Sequence, residues 1–120
     1  SLASEKTMIC NELECLASLL GGCVTYSGDY PAWEYRKESA LRELICDVYE
    51  GQYGKKPVVE AIHAGLECGV FAGKLPGLDC VSLGPDLLEI HTPRERMSVG
   101  SVARTWKLLC EVLARAEELR

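Results

Sequence analysis

Apolar residues recur at helical spacing in three stretches of this chain, and each stretch carries its own start and stop signals. Ile9, Leu13, Leu16 and Leu20 lie on one face of a predicted helix that Ser4 can cap and that Gly21-Gly22 ends. Leu41, Leu44, Ile45 and Val48 mark a second helix, capped by Ser39 and stopped by Gly51 and Gly54. Between about 99 and 118, Val99, Val102, Trp106, Leu109 and Leu113 form a stripe, with Glu111, Arg115 and Glu118 off it.

Between the helices the pattern changes to short, continuous apolar runs. Cys23 to Tyr26 reads as a strand, as do residues 57–62 and 79–83, and a short helix is predicted from about 65 to 73. Val58, Val59, Ala61 and Ile62 leave no polar face, which suits a parallel strand covered on both sides. The run from Leu78 to Leu88 is interrupted by Gly84-Pro85 and ends on Glu89-Ile90-His91, after which Thr92-Pro93 is expected to stop strand pairing. Alternation of strands and helices predicts an α/β fold, a parallel sheet with helical crossovers. Ser27 to Lys37, with Gly28, Asp29, Pro31 and alternating aromatics, is a composition shift that marks a crossing between domains.

Composition narrows the function classes. At 120 residues, 48% apolar and 26% charged, the chain suits one globular unit of ordinary size. A net charge of −5, with no run of Lys or Arg, argues against nucleic-acid or membrane-surface partners, because a phosphate-binding face needs concentrated positive charge. No stretch approaches the roughly 18 consecutive apolar residues of a membrane span, and no signal-peptide pattern opens the chain, so a cytoplasmic location is expected. The seven cysteines, at 10, 15, 23, 46, 68, 80 and 110, include no Cys-x-x-Cys pair and read as reduced, buried thiols.

The chain's two histidines, His63 and His91, each follow an apolar run, at the carboxyl ends of predicted strands where open α/β sheets place their sites. Gly65 and Glu67 read as the first turn of a helix whose free N–H groups favour an anion. Residues 69–74 resemble a phosphate loop only loosely, since Leu75 stands where Ser or Thr must reach magnesium. Asp29, Asp79, Asp86 and Glu89 are not spaced as a catalytic carboxylate pair and read as solvated or turn-forming.

These residues carry a resemblance. The block from Val58 to Val102 is similar to the closing part of the aminoacyl-histidine (Xaa-His) dipeptidases, the carnosinase-like branch of the two-zinc aminopeptidase and carboxypeptidase clan. Two motifs are specific: the turn His63-Ala64-Gly65-Leu66-Glu67-Cys68-Gly69, and Gly84-Pro85 followed by His91-Thr92-Pro93-Arg94-Glu95. Upstream, Gly28-Asp29-Tyr30-Pro31-Ala32-Trp33 resembles the family's crossing out of its lid domain.

The resemblance implies that residues 1–35 are the end of a lid or dimerisation domain and 36–120 the C-terminal segment of the catalytic domain, part of a three-layer sheet. It implies zinc as cofactor, two ions per full-length site, with His91 as the last metal ligand and Glu95 supporting it from behind. His63, Gly65 and Glu67 would line the pocket for a dipeptide substrate. The isolated chain, with strand edges left unpaired, is expected to self-associate into homo-oligomers. No His-x-Asp motif is present, so the other ligands and the general base are expected outside this chain, which alone should be inactive. The competing reading is a self-contained α/β binding or interaction module without catalysis.

Overall fold

The computed structural model describes residues 2–62 and 67–119. Its elements, in chain order, are helix α1 (Ala3–Leu19), helix α2 (Ala40–Tyr53), helix α3 (Glu67–Lys74), strand β1 (Leu87–Leu88), strand β2 (Arg96–Met97) and helix α4 (Val99–Ala114), followed by a 3-10 turn at Ala116–Leu119. Two compact units result: Ser1–Lys37 with Glu60–Leu78, and Glu38–Val59 with Asp79–Arg120. Among the described residues no helix is long and apolar enough to cross a membrane.

In the first unit, α1 starts two residues earlier than Ser4 would allow as its cap. Leu2 takes the capping position, and Glu5 from the first turn accepts the Leu2 N–H at 3.5 Å. The helix ends as its glycines require: Gly21 has φ +75°, and Gly22 N–H donates to the Ala17 carbonyl at 2.8 Å. The predicted strand at 23–26 does not form. The chain instead returns beside α1 through polar contacts: Ala3 N–H donates to Glu34 at 3.1 Å, and Lys6 pairs with Asp29 and donates to the Tyr30 carbonyl. Tyr26 donates its hydroxyl proton to the Cys10 carbonyl at 2.8 Å.

Loss of solvation around that hydroxyl, reinforced by the contact with Cys10, pushes the Tyr26 pKa up to about 12 from 10.0. A raised folded-state pKa stabilises the fold below the unfolded value near 10, and this contribution disappears as the pH rises through 12. An absorbance titration of phenolate should therefore show a step near pH 12 that Tyr26→Phe removes. If the variant keeps that step, it belongs to another tyrosine.

Helix α3 lies on the 31–33 segment through glycine. A Cβ built on Gly69 would stand 2.8 Å from the Pro31 carbonyl oxygen and 3.5 Å from Trp33 Cβ, and one on Gly73 would stand 3.5 Å from Pro31 Cβ. The Gly69 contact is with backbone, which cannot swing aside. Gly69→Ala is expected to destabilise by about 1–3 kcal/mol through overpacking. Gly51→Ala, inside α2 with nothing within 4 Å, is expected to stabilise by about 0.5–1 kcal/mol. Thermal denaturation of the two variants checks the pair, and equal shifts would refute the close approach.

The second unit is built on α2 against α4. Ser39 accepts the Arg42 N–H at 3.1 Å as the N-cap of α2, and Gly54 ends the helix with φ +67°. Gly51, expected to help stop this helix, lies within it instead. Leu44 and Val48 from α2 and Leu108 and Val112 from α4 are the buried core, with Leu41, Ile45 and Tyr49 packed against it. The buried face of α4 is not the predicted stripe: Ser101, Leu108 and Val112 point inward, whereas Val99, Val102, Trp106 and Leu113 are exposed. Both rows are largely apolar, and the single helix facing α4 in this unit can cover only one of them.

The predicted parallel strands are likewise absent. Residues 57–62 and 79–83 form no strand, and Val58, Val59 and Ile62 are exposed. Runs apolar on both faces need partner strands beside them and layers above and below, and the described residues supply neither. The sheet that does form is an antiparallel pair, Leu87 opposite Met97 and Leu88 opposite Arg96. Thr92-Pro93 therefore interrupts pairing only within a loop, after which it resumes.

Candidate functional site: the His91 loop

His91 sits in the loop that joins β1 to β2, and the start of α4 anchors both strands. Ser98 caps α4 by accepting the Ser101 N–H, while its own N–H donates to the Asp86 carbonyl at 3.0 Å. The buried Ser101 hydroxyl donates to the Ser98 carbonyl at 2.7 Å and accepts the Asp86 N–H at 2.8 Å. Arg104, one turn further along α4, reaches the Asp86 carboxylate at 3.1 Å. Entry to β1 and exit from β2 are thus fastened to one helix end.

Within the loop, two residues other than glycine adopt left-handed backbone: Glu89 with φ +52° and His91 with φ +63°. Such conformations are unfavourable for residues with a Cβ and persist only where surroundings hold them. Here several contacts do so. Thr92 Oγ1 donates to the Glu89 carbonyl at 2.7 Å and accepts the Arg94 N–H at 3.2 Å, while Glu95 N–H donates to the Thr92 carbonyl at 3.1 Å. The Glu95 carboxylate accepts the His91 N–H at 3.1 Å. The Glu89 carboxylate meets Arg94 Nε at 2.9 Å and Arg96 Nη2 at 3.2 Å.

The His91 side chain itself is exposed on this braced loop. A neutral imidazole so presented suits one coordination position at a borderline-soft divalent ion. Among the described residues, no three His, Cys, Asp or Glu side chains converge to hold a metal. His91 by itself is not a metal site.

Of the other candidates, Glu67 is the first residue of α3, exposed and well placed to offset the helix dipole. His63 and Gly65 lie outside the described residues. Residue spacing also hid two carboxylates that have definite partners. Asp79 accepts from Ser39 Oγ at 2.7 Å and from Leu41 N–H at 3.1 Å, so it completes the N-terminus of α2; Glu89 bridges two arginines. Glu89 had one sequence signal, an opposite charge on each side of the Thr-Pro pair.

No protein-family profile matches the chain. The cytosol non-specific dipeptidase of Escherichia coli (strain K12) is 36% identical over 110 residues, which cover 92% of this chain and 23% of that protein. The crystal structure of aminoacylhistidine dipeptidase from Vibrio alginolyticus superposes with a TM-score of 0.79 and 36% identity, covering 96% of this chain and 23% of that one. The chain is a homologue of these dipeptidases.

The homologous region includes both motifs and the braced loop, since nearly the whole chain is matched in each comparison. The chain spans about a quarter of the length of the relatives it matches. The TM-score also bears on the missing sheet: helices, hairpin and irregular segments follow a course found within a dipeptidase, although residues 57–62 and 79–83 are unpaired here.

Proposed function

We propose that this chain is the C-terminal segment of a zinc-dependent dipeptidase that hydrolyses Xaa-His dipeptides. The observation that carries the reading is the 36% identity to a dipeptidase over 92% of the chain. Residues 1–35 are assigned to the end of a lid or dimerisation domain and residues 36–120 to the returning part of the catalytic domain. In the complete enzyme, residues 57–62 and 79–83 gain neighbouring strands and become part of a three-layer sheet, which buries the apolar side chains of Val58 and Ile62 that are exposed here.

His91 is assigned as a metal ligand, presented by a loop whose backbone is held on both sides of it. Bound zinc, two ions per site, supplies Lewis acidity and a water of lowered pKa. The remaining donors come from outside the described residues. Glu95 keeps the His91 backbone in place, and Glu67, with His63 and Gly65, lines the substrate pocket at the start of α3, where a dipeptide carboxylate gains from helix N–H groups. The enzyme acts in the cytoplasm as a homo-oligomer.

The test is to purify the natural gene product that contains this sequence and assay it on Xaa-His dipeptides before and after treatment with a chelator. Cleavage lost on chelation and restored by zinc is the expected result. A product that binds no zinc and cleaves no dipeptide overturns the proposal.

A further inference from the structure

We propose that Glu89 is a positioning residue for His91, acting through a double ion pair that closes the loop behind the ligand; the inference rests on the assignment of His91 to the metal site. Three features of the loop converge on Glu89. Its own backbone is left-handed, φ +52°, two residues before the equally left-handed His91. Its carbonyl accepts the Thr92 hydroxyl at 2.7 Å. Its carboxylate meets Arg94, three residues past His91 on the loop's return, and Arg96 on β2. The side chain thus ties the outgoing end of the loop to its returning end, with His91 between the two.

The physical reason for such a brace is directional. If His91 or Glu89 relaxed from left-handed to the ordinary right-handed or extended backbone, the Cα–Cβ bond of His91 would swing to a new direction, and its ring with it. Ligand geometry tolerates roughly 0.5 Å and 10–20° of error. A flexible alternative would bind the ion only in the fraction of time the loop is correctly set, which lowers apparent affinity by that fraction.

An ordinary exposed ion pair contributes little to stability, because water screens it and the side chains lose freedom. Glu89 is 36% exposed at its side chain and Arg94 is 85% exposed. The brace should therefore matter little to the global melting temperature and much to the ligand, and this split separates positioning from a general structural role. Glu95 holds the His91 N–H from the other side, so the loop remains folded when Glu89 is changed.

The experiment uses the full-length protein, zinc as the probe and a competing chelator to measure affinity, with the melting temperature of the zinc-free protein recorded beside it. His91→Ala is the reference and should weaken zinc binding strongly. Glu89→Gln is expected to weaken it about tenfold, the size typical of groups that orient a ligand, with the zinc-free melting temperature unchanged. Glu89→Arg should be at least as weak, and the charge-reversed combination of Glu89→Arg, Arg94→Glu and Arg96→Glu should recover most of the loss. If His91→Ala weakens zinc while Glu89→Gln binds as the parent does, the positioning role is overturned and the assignment of His91 stands. If Glu89→Gln weakens zinc only as it lowers the melting temperature, and charge reversal recovers nothing, the role is again overturned. If His91→Ala leaves zinc affinity unchanged, both the assignment and the inference fall.

Discussion

Under the proposed function, His91→Ala in the full-length protein is expected to lower dipeptide hydrolysis by roughly a hundredfold or more and to weaken one of the two proposed metal positions. Replacing a group that merely orients a ligand typically costs 10- to 100-fold, and removing the ligand itself should cost no less. The loss should appear in kcat/KM and should not be reversed by a modest excess of zinc, because a vacant coordination position leaves the ion without its geometry, not only with a lower occupancy. The backbone of the loop should survive, since the Glu89 and Glu95 contacts use no atom of the imidazole: Glu95 binds the His91 N–H. Activity within about threefold of the parent would remove His91 from the site.

The second large effect is on stability. Leu108→Ala is expected to destabilise the unit formed by residues 38–59 and 79–120 by about 2–5 kcal/mol, the usual loss when a buried leucine leaves a cavity. Its core consists of Leu44, Val48, Leu108 and Val112, so little material is available to close the gap. Against a total stability of about 5–15 kcal/mol for an ordinary domain, one such change unfolds a large fraction of molecules on warming. Leu113→Ala, at a position 64% exposed, is expected to shift stability by less than about 0.5 kcal/mol in this chain. Melting curves of the two variants decide which face of α4 is buried. Equal losses would mean that the row containing Trp106 and Leu113 is also covered.

That comparison bears on how much of the fold is legible in the residues alone. The second helix follows from local rules: Ser39 supplies its cap and Gly54 the left-handed exit, each a property of one residue and its near neighbours. The end of α1 at Gly21 is equally local, though its start is not at Ser4, because Leu2 with Glu5 offers an alternative two residues earlier. In α4, periodicity identifies a helix but not its buried side. Ser101, Leu108 and Val112 share a row with a polar first member, and the more uniformly apolar row looks better on paper. Which row turns inward is set by where α2 lies.

The candidate site shows the same division. His91 and the Thr-Pro pair are visible in the sequence, and so is Glu95, four residues on. The contact between Glu95 and the His91 N–H is within reach of local reasoning, because only a short turn separates them. The bridge from Glu89 to Arg94 and Arg96 is not, since it depends on β1 and β2 pairing in the register that brings Leu88 opposite Arg96. Nor is the role of Asp79 at the start of α2, which joins residues about forty apart.

What the sequence by itself determined is therefore local: three main helices, most of their ends, the turn that carries His91 and a resemblance to dipeptidases that homology over 92% of the chain supports. Tertiary structure alone decided which apolar row of α4 is buried, that the strands at 87–88 and 96–97 pair as a hairpin, and that Glu89 joins the two ends of the His91 loop. The reason is the range of the forces involved. Caps, turns and helical periodicity are satisfied within about one helical turn of chain. Strand pairing, burial and ion pairs between distant segments depend on what lies opposite, and residues 57–62 and 79–83 show the consequence: a strong strand pattern remains unpaired where no partner strand stands beside it.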